Sequence, residues 1–260
     1  MNDDSKVDPI SWEDPTRNRV IDVEQRLQLL KLIESSGLND LEKIKCFPRF
    51  IQTTYIRKFI SRLKIYELSI ESTGSIVECG VLGGDGLLSW GHFVEIFEPY
   101  NHLRRVVGFD SFDGFPKGSL SPKDEVRDNE QLRDGGLKSS EFEEISESIR
   151  VFDLNRPLSH IQRVSVVKGD ARETISKFLA ENPEFLISLL WLDFDIYEPT
   201  KIALREFLPR MHAGSIVAFD ELSHPLWPGE TIAALEEMNL RRYEIRRFPF
   251  GSTVSYIQLR

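Results

Sequence analysis

Residues 186–200 constrain the fold more than any other part of the chain. Residues 186–192 form a short, nearly unbroken apolar run, which is typical of a strand buried on both faces of a parallel sheet. Asp193 and Asp195 follow directly, and residues 201–210 have the pattern of an amphipathic helix that begins near a proline. Ligands of open α/β sheets bind where the strands end, so we expect Asp193 at a functional site.

A second apolar run ends in the same way. Residues 215–219 are followed by Asp220 and Glu221. If the two strands are neighbours in a parallel sheet, four carboxylates lie close together at one edge. Like charges so close together need a cation or shared protons.

A glycine-rich turn follows an earlier apolar strand, residues 75–78. The turn runs from Gly80 to Gly86 and leads into a predicted helix at 87–97. Glycines let the backbone approach a ligand, and the start of a helix offers free N–H groups. The spacing is not the dinucleotide fingerprint, so a tight connection without a ligand is the alternative. Glu78, just before the turn, favours a binding role.

Two more predicted strands also end in an acid. Asp110 follows the strand at 105–109, where its carboxylate is placed to accept hydrogen bonds from both ribose hydroxyls of a nucleoside. Asp170 follows the strand at 163–167, where its side chain could accept a hydrogen bond from the exocyclic amine of adenine. The alternatives are a turn aspartate for Asp110 and a helix N-cap for Asp170.

The remaining segments complete a single α/β domain with a helical extension. Residues 1–19 are predicted to be a loose polar arm, 20–35 and 54–69 to be helices, and 171–180 and 229–239 to be further helices. The basic face of the 54–69 helix is interpreted as solvated surface; it consists of Arg57, Lys58, Arg62 and Lys64. We place the extension at 1–70 and the main domain at 71–260.

Two further segments interrupt the alternation of parallel strands and helices. Residues 117–160 are rich in charge and turn formers, with a helix near 140–151, which is typical of a lid or binding loop; a disordered surface insertion is the alternative. The strands at 243–248 and 253–259 are joined by a link too short for anything but an antiparallel hairpin.

Composition narrows the class of protein. The chain has 260 residues, 40% of them hydrophobic, and a net charge of −9, which argues against a protein that mainly grips nucleic acid. Cys46 and Cys79 provide no disulfide framework, and no apolar run approaches the roughly 20 residues of a membrane helix. We therefore expect a cytoplasmic protein without a membrane partner. His224 follows Asp220 closely and is either a substrate contact or a loop histidine.

Taken together, these motifs resemble the class I S-adenosylmethionine-dependent methyltransferases, and in detail the macrocin O-methyltransferase family. The matching segments are VECGV at 77–81, FDSFDGFP at 109–116, KGD at 168–170, LDFDIYEPT at 192–200 and FDE at 219–221. The resemblance implies a Rossmann-like fold with a seven-stranded, mostly parallel sheet and a C-terminal antiparallel hairpin.

The resemblance also implies a role for each matching residue. Asp195 is the expected general base, and a divalent ion, with magnesium favoured, is expected on Asp193, Asp220 and Glu221. The expected S-adenosylmethionine-binding residues are Glu78, Gly80, Gly83, Gly84, Asp110, Ser111, Gly169 and Asp170. Family members commonly carry aspartate where this chain has Glu221, and the longer arm of glutamate would shift the ion.

The expected reaction is methylation of a hydroxyl group on a sugar or a glycosylated small molecule. A sugar hydroxyl is a poor nucleophile at neutral pH, and a general base typically contributes about 10²–10⁴-fold. The N-terminal helices are candidates for a dimer contact. The competing hypotheses are a non-catalytic binding protein on the methyltransferase fold and a nicotinamide-dependent oxidoreductase.

Overall fold

The computed structural model describes residues 20–126, 129–138, 141–250 and 253–260, with the side chains of 20–22 left out. The predicted N-terminal arm lies outside these residues. The chain divides into two compact units, Met1–Arg57 and Lys58–Arg260. The division falls inside a helix, and the domain boundary at residue 70 stays a prediction.

The first unit is helical. Helix α1 (Val20–Ser35) has the predicted bounds, and α2 (Asp40–Lys45) was not predicted. Asn39 caps α2: its side chain accepts a hydrogen bond from the Glu42 N–H, and the Glu42 carboxylate accepts one from the Asn39 N–H. Helix α3 (Thr53–Ser69) begins in this unit and continues into the second.

One seven-stranded sheet, with the strand order β3-β2-β1-β4-β5-β7-β6, forms the centre of the second unit. The first five strands are parallel, and β7 is antiparallel to both β5 and β6. This confirms the predicted sheet and its terminal hairpin, although residues 251–252 of the link lie outside the described residues. The strands are β1 (Ser75–Cys79), β2 (Val106–Asp110), β3 (Val164–Lys168), β4 (Ile187–Leu192), β5 (Met211–Phe219), β6 (Arg246–Arg247) and β7 (Ser255–Gln258).

Strand β4 lies in the middle of the sheet, and all six of its residues are buried. Successive side chains of a strand point to opposite faces. Leu190 and Leu192 accordingly join the hydrophobic cluster on one face, and Leu189 and Trp191 join the cluster on the other. The apolar run in the sequence is therefore a strand with core on both sides.

Helices follow the strands at nearly the predicted positions. They are α4 (Asp85–Phe97), α5 (Phe142–Asp153), α6 (Ala171–Glu181), α7 (Tyr197–Phe207) and α8 (Pro228–Glu237). Helix α7 begins earlier than predicted, because the Asp124 carboxylate accepts a hydrogen bond from the Tyr197 N–H at 2.7 Å and so caps the helix start. Nowhere in the described chain is a helix long and apolar enough to cross a membrane.

The described part of the 117–160 insertion packs against the sheet. Ile145 and Ile149 of α5 are buried in one of the two core clusters. Asp124 is 2% exposed and lies against the start of α7, and Arg172 of α6 donates a 2.7 Å hydrogen bond to the Gly118 carbonyl. The insertion is thus joined to helices that begin at the carboxyl edge of the sheet.

Candidate active site

The structure brings the acids after β4 and β5 together at one edge. The two strands are parallel neighbours, and Leu192 pairs with Phe219, so that Asp193 and Asp220 are the next residues of each strand. The Asp220 N–H donates to the Leu192 carbonyl at 3.0 Å, and the Asp193 N–H donates to the Cys79 carbonyl at 2.8 Å. The backbone ladder therefore fixes where both carboxylates begin.

Asp195 lies at the centre of a tight turn between β4 and α7. Its φ is +62°, and the Ile196 N–H donates to the Phe194 carbonyl at 2.7 Å, as in a γ-turn. A non-glycine residue in this region carries backbone strain of order 1–3 kcal/mol, which clusters at functional sites.

Burial and mutual repulsion make the Asp193 and Asp195 carboxylates more basic than ordinary aspartates. Burial and the neighbouring Asp220 raise the pKa of Asp193 to about 6, although Lys58 opposes the shift. Burial, followed by the charges of Asp193 and Glu221, holds the pKa of Asp195 well above its usual value. A carboxylate with a raised pKa is a better proton acceptor near neutral pH.

Two cations on α3 face this edge. Lys58 Nζ lies 3.1 Å from Asp220 Oδ2 and 3.5 Å from Asp193 Oδ2. Arg62, one turn later, is 3% exposed, forms an ion pair with Asp85 at 2.5 Å, and places its guanidinium 5.4 Å from the Trp191 ring centroid. The interpretation of this face as solvated surface is therefore wrong for the buried Arg62, whereas Lys58 is partly exposed and also forms ion pairs with the two acids.

Glu230 is a buried acid at this edge to which the sequence drew no attention. It lies in the first turn of α8, is 1% exposed, and accepts a 3.1 Å hydrogen bond from the Glu221 N–H. Burial, with the charge of Asp220 second, raises its pKa well above the usual value. An acid in the first turn of a helix is common, since it complements the helix dipole, so its residue type alone gives no signal.

His224 lies in the loop between β5 and α8. It is 5% exposed, and its Nδ1 accepts a 3.1 Å hydrogen bond from the Leu226 N–H. This contact shows that the ring shapes its own loop; a contact with substrate stays a prediction.

The glycine-rich turn lies directly beside the acids. Gly80 has a φ of +91°, and a Cβ atom there would lie 2.0 Å from the Asp193 carbonyl oxygen. Only glycine permits this contact between the end of β1 and the end of β4. Gly83 and Gly84 continue the turn, and Gly84 has a φ of +79° at the start of α4.

Glu78 lies beneath the turn with one oxygen available. It is 1% exposed, and its Oε2 has no hydrogen-bond partner among the described residues. A Cβ on Gly86 would lie 1.8 Å from Glu78 Oε1, so the Glu78 side chain would have to move to accommodate it. Burial raises the pKa of Glu78 well above its usual value, against the opposing charge of Arg62. Such a carboxylate suits a cationic ligand group such as an ammonium.

Asp110 holds the glycine turn to the end of β2. Its Oδ2 accepts hydrogen bonds from the N–H groups of Val81 at 2.7 Å and Leu82 at 3.0 Å, and Oδ1 accepts one from Phe112 at 2.8 Å. The neighbouring Ser111 hydroxyl donates to the Gly114 carbonyl. The turn-aspartate role is therefore present, and a carboxylate oxygen can still accept a further hydrogen bond.

Asp170 is the N-cap of α6, as the alternative interpretation held. Its Oδ1 accepts a 2.9 Å hydrogen bond from the Arg172 N–H, and its Oδ2 lies 2.6 Å from Arg172 Nη2. Although burial raises the pKa of Asp170, the hydrogen bonds from Arg172 outweigh it and lower that pKa. Gly169, with a φ of +132°, turns the chain from β3 into the cap.

The three expected metal ligands do not form a cation site in their present arrangement. Within the described parts of the chain, no group of three or more histidine, cysteine or acidic side chains is placed to hold a metal ion. The Oδ2 atoms of Asp193 and Asp220 are already engaged by the Lys58 ammonium. The oxygen-only donor set suits magnesium, but the geometry does not.

Comparison with known proteins identifies the family. The model of the macrocin-O-methyltransferase (TylF) family matches residues 57–235. No curated protein sequence matches the chain.

Among solved structures, the chain is similar to CalS11, a calicheamicin methyltransferase, with 33% sequence identity, 93% of each chain covered and a TM-score of 0.88. The apo structure of CalS11 gives 32% identity, coverage of 95% of this chain and 99% of CalS11, and a TM-score of 0.79. The O-methyltransferase NovP shares the fold, with 22% identity, coverage of 78% and 80%, and a TM-score of 0.60. The chain therefore belongs to the macrocin-O-methyltransferase family, has the class I methyltransferase fold and is an O-methyltransferase.

Proposed function

We propose that the protein transfers the methyl group of S-adenosylmethionine to a hydroxyl group of a sugar, with Asp195 as general base. The observation that carries the proposal is the convergence of Asp195, in its strained turn, with Asp193 and Asp220 beside the glycine turn. CalS11, which is similar over 95% of this chain, is described as a TDP-rhamnose 3'-O-methyltransferase. A nucleotide-activated sugar is therefore the acceptor class we infer, in natural-product or polysaccharide biosynthesis.

The sites for the methyl donor are inferred from polar groups at the ends of β1, β2 and β3. Glu78 has a buried oxygen that lacks a hydrogen-bond partner within the described part of the chain, which suits the ammonium of the methionine part. Asp110, with Ser111 beside it, is proposed to accept the ribose hydroxyls, and Asp170, with Gly169, to contact adenine. The turn formed by Gly80, Gly83 and Gly84 lets the donor approach the backbone.

The donor supplies a methyl group on a positively charged sulfur, which leaves as a neutral thioether. The acceptor oxygen forms the new bond to the methyl carbon as the carbon–sulfur bond breaks and its electron pair stays on sulfur. The hydroxyl proton passes to the Asp195 carboxylate. Orientation of the two reactants is worth up to about 7–11 kcal/mol in favourable cases, and the base adds about 3–5 kcal/mol.

Magnesium held by Asp193, Asp220 and Glu221 stays a prediction, because the oxygen donors suit it but Lys58 engages two of them. A cytoplasmic location and a homo-oligomer are also kept as predictions. Family membership favours methyl transfer over the nicotinamide-dependent and non-catalytic alternatives.

The proposal is tested with donor and acceptor separately. Calorimetric titration with S-adenosylmethionine should give saturable binding. Incubation with methyl-labelled donor and a panel of nucleotide-activated sugars, TDP-rhamnose among them, should yield a labelled sugar with the methyl group on oxygen. Saturable donor binding without label in any sugar would remove the acceptor class, and absence of donor binding would remove the reaction.

A further inference from the structure

The Lys58 side chain stands where a bound cation would neutralise the acidic edge. Its ammonium lies within 4 Å of both Asp193 and Asp220, at 3.5 and 3.1 Å from their Oδ2 atoms. A single positive group bridges the two carboxylates that follow neighbouring strands. A metal ion bound to the same two oxygens would occupy the same space.

Several carboxyl groups surround the Lys58 ammonium, so a positive charge at its position is stabilising. Asp195, Glu221 and Glu230 add further carboxyl groups to the same edge, and their charges act on one another. Asp220 Oδ1 is buried, and no hydrogen-bond partner for it exists among the described residues. Packed carboxylates are stable only with a cation or shared protons.

Position on the helix explains how the lysine reaches the edge. Lys58 and Arg62 are one turn apart on α3 and therefore share a face. Arg62 is buried against Trp191 and Asp85, which fixes that face toward the sheet. The Lys58 side chain is 38% exposed, so solvent and hydrated ions can reach its ammonium and the oxygens beneath it.

We propose that Lys58 is a resident cation of the acidic edge, and that it competes with divalent metal ions for the Oδ2 atoms of Asp193 and Asp220. The lysine keeps the carboxylates charged and in place when no metal is bound. Any divalent ion must displace the ammonium, so Lys58 sets how readily the edge takes up metal. The inference adds to the proposed function and does not need methyl transfer to be correct, since metal binding is measured by itself.

The test is Mn²⁺ binding to the full-length protein, followed by the loss of the electron paramagnetic resonance signal of free Mn²⁺. Lys58→Met removes the charge but keeps the length of the side chain. Because a competing unit charge a few ångströms away is removed, we expect Mn²⁺ to bind at least about tenfold more tightly than to the wild type. Lys58→Arg, which keeps the charge, should bind Mn²⁺ as the wild type does.

Two controls connect any gain to the acidic edge. Lys64 lies on the same helix and pairs with Glu67, so Lys64→Met removes an equal charge elsewhere and should leave Mn²⁺ binding unchanged. Asp193→Asn added to Lys58→Met should abolish the gain. Thermal unfolding of each variant verifies the fold, and Lys58→Gln replaces Lys58→Met if the latter does not fold.

Equal Mn²⁺ affinity in the wild type and the charge-removing variant would overturn the proposal. The same holds if neither binds Mn²⁺ at millimolar concentration, or if Lys64→Met gives the same gain. If the wild type shows no methyl transfer while the Mn²⁺ results are as expected, the proposed function alone is refuted.

Discussion

The acids that follow β2 and β3 differ from those that follow β4 and β5, although all occupy the same position in the fold. Asp110 and Asp170 accept hydrogen bonds from nearby backbone N–H groups, so the chain itself satisfies them. Asp193 and Asp220 instead face each other and share one lysine ammonium. The pKa of Asp170 is lowered, chiefly by Arg172 against burial, whereas burial and Asp220 raise that of Asp193.

This difference distinguishes two uses of a strand-end carboxylate. The outer pair stabilises the turns that are proposed to hold the donor. Asp193 is held at an energetic cost, because burial and the neighbouring like charge favour its protonation. Groups with such raised pKa values occur preferentially at functional sites. All four acids thus lie at the same edge of the sheet, and the source of their charge compensation separates the two pairs.

The largest expected effect comes from breaking the close contact between Gly80, at the end of β1, and Asp193, at the end of β4. In Gly80→Ala, the new Cβ would lie 2.0 Å from the Asp193 carbonyl oxygen at a φ of +91°. We expect the free energy of unfolding to fall by about 3 kcal/mol or more, from overpacking and left-handed backbone strain. Urea unfolding measures the change. Gly37→Ala is the control, since nothing lies within 4 Å of its added Cβ, and an equal loss in both variants would contradict the account.

The next largest expected effect is on the affinity for S-adenosylmethionine, which should differ between variants of Asp110 and of Asp193. Asp110→Ala removes the acceptor of the Val81, Leu82 and Phe112 N–H groups together with the proposed ribose contact. Losing the two proposed charge-assisted hydrogen bonds to the ribose hydroxyls should weaken S-adenosylmethionine binding about 10²-fold. Asp193→Asn should change the same calorimetric Kd far less. Equal losses would show that the central acid also binds the donor.

A pH dependence of stability follows from the raised pKa of Asp193. Its folded pKa of about 6 exceeds the usual value of 3.8, so the folded state binds the proton more tightly than the unfolded chain. The stabilisation that protonated Asp193 contributes to the free energy of unfolding is therefore fully present below about pH 4. It is lost as the pH rises through about 6, by up to about 3 kcal/mol. The free energy of unfolding of the wild type relative to Asp193→Asn should fall over this range. A difference that is flat or rises with pH would contradict the assignment.

The smallest expected effect tests the outer region alone. Asp170→Ala removes the N-cap of α6 and should lower the free energy of unfolding by about 1 kcal/mol. Asp170→Asn keeps a capping oxygen and should cost less than half as much. Equal costs in urea unfolding would assign the stabilisation to the ion pair with Arg172 rather than to the cap.

Local patterns in the sequence were sufficient to predict the sheet and its acidic edge. The apolar run of β4 and the acid that follows each strand are both visible within a few residues. The parallel order then requires those acids to share one edge.

What the sequence did not reveal depends on contacts between distant segments. Lys58 meets Asp193 across 135 positions and Asp220 across 162, and nothing in its own helix marks it as different from a solvated lysine. Helix α7 starts at Tyr197 because Asp124, 73 positions earlier, caps it. Glu230 likewise reaches the acidic edge only through the fold, where it accepts a hydrogen bond from the Glu221 N–H. Residue type and periodicity carry no record of such pairings.

The most direct test of the central claim is single-turnover transfer of a labelled methyl group by Asp195→Asn and wild type, with donor affinity measured on the same samples. Asparagine keeps the shape of the side chain but cannot take up the proton. We expect unchanged S-adenosylmethionine binding and a transfer rate about 10²–10⁴-fold lower. A variant that binds the donor and transfers the methyl group at the wild-type rate would show that Asp195 is not the base.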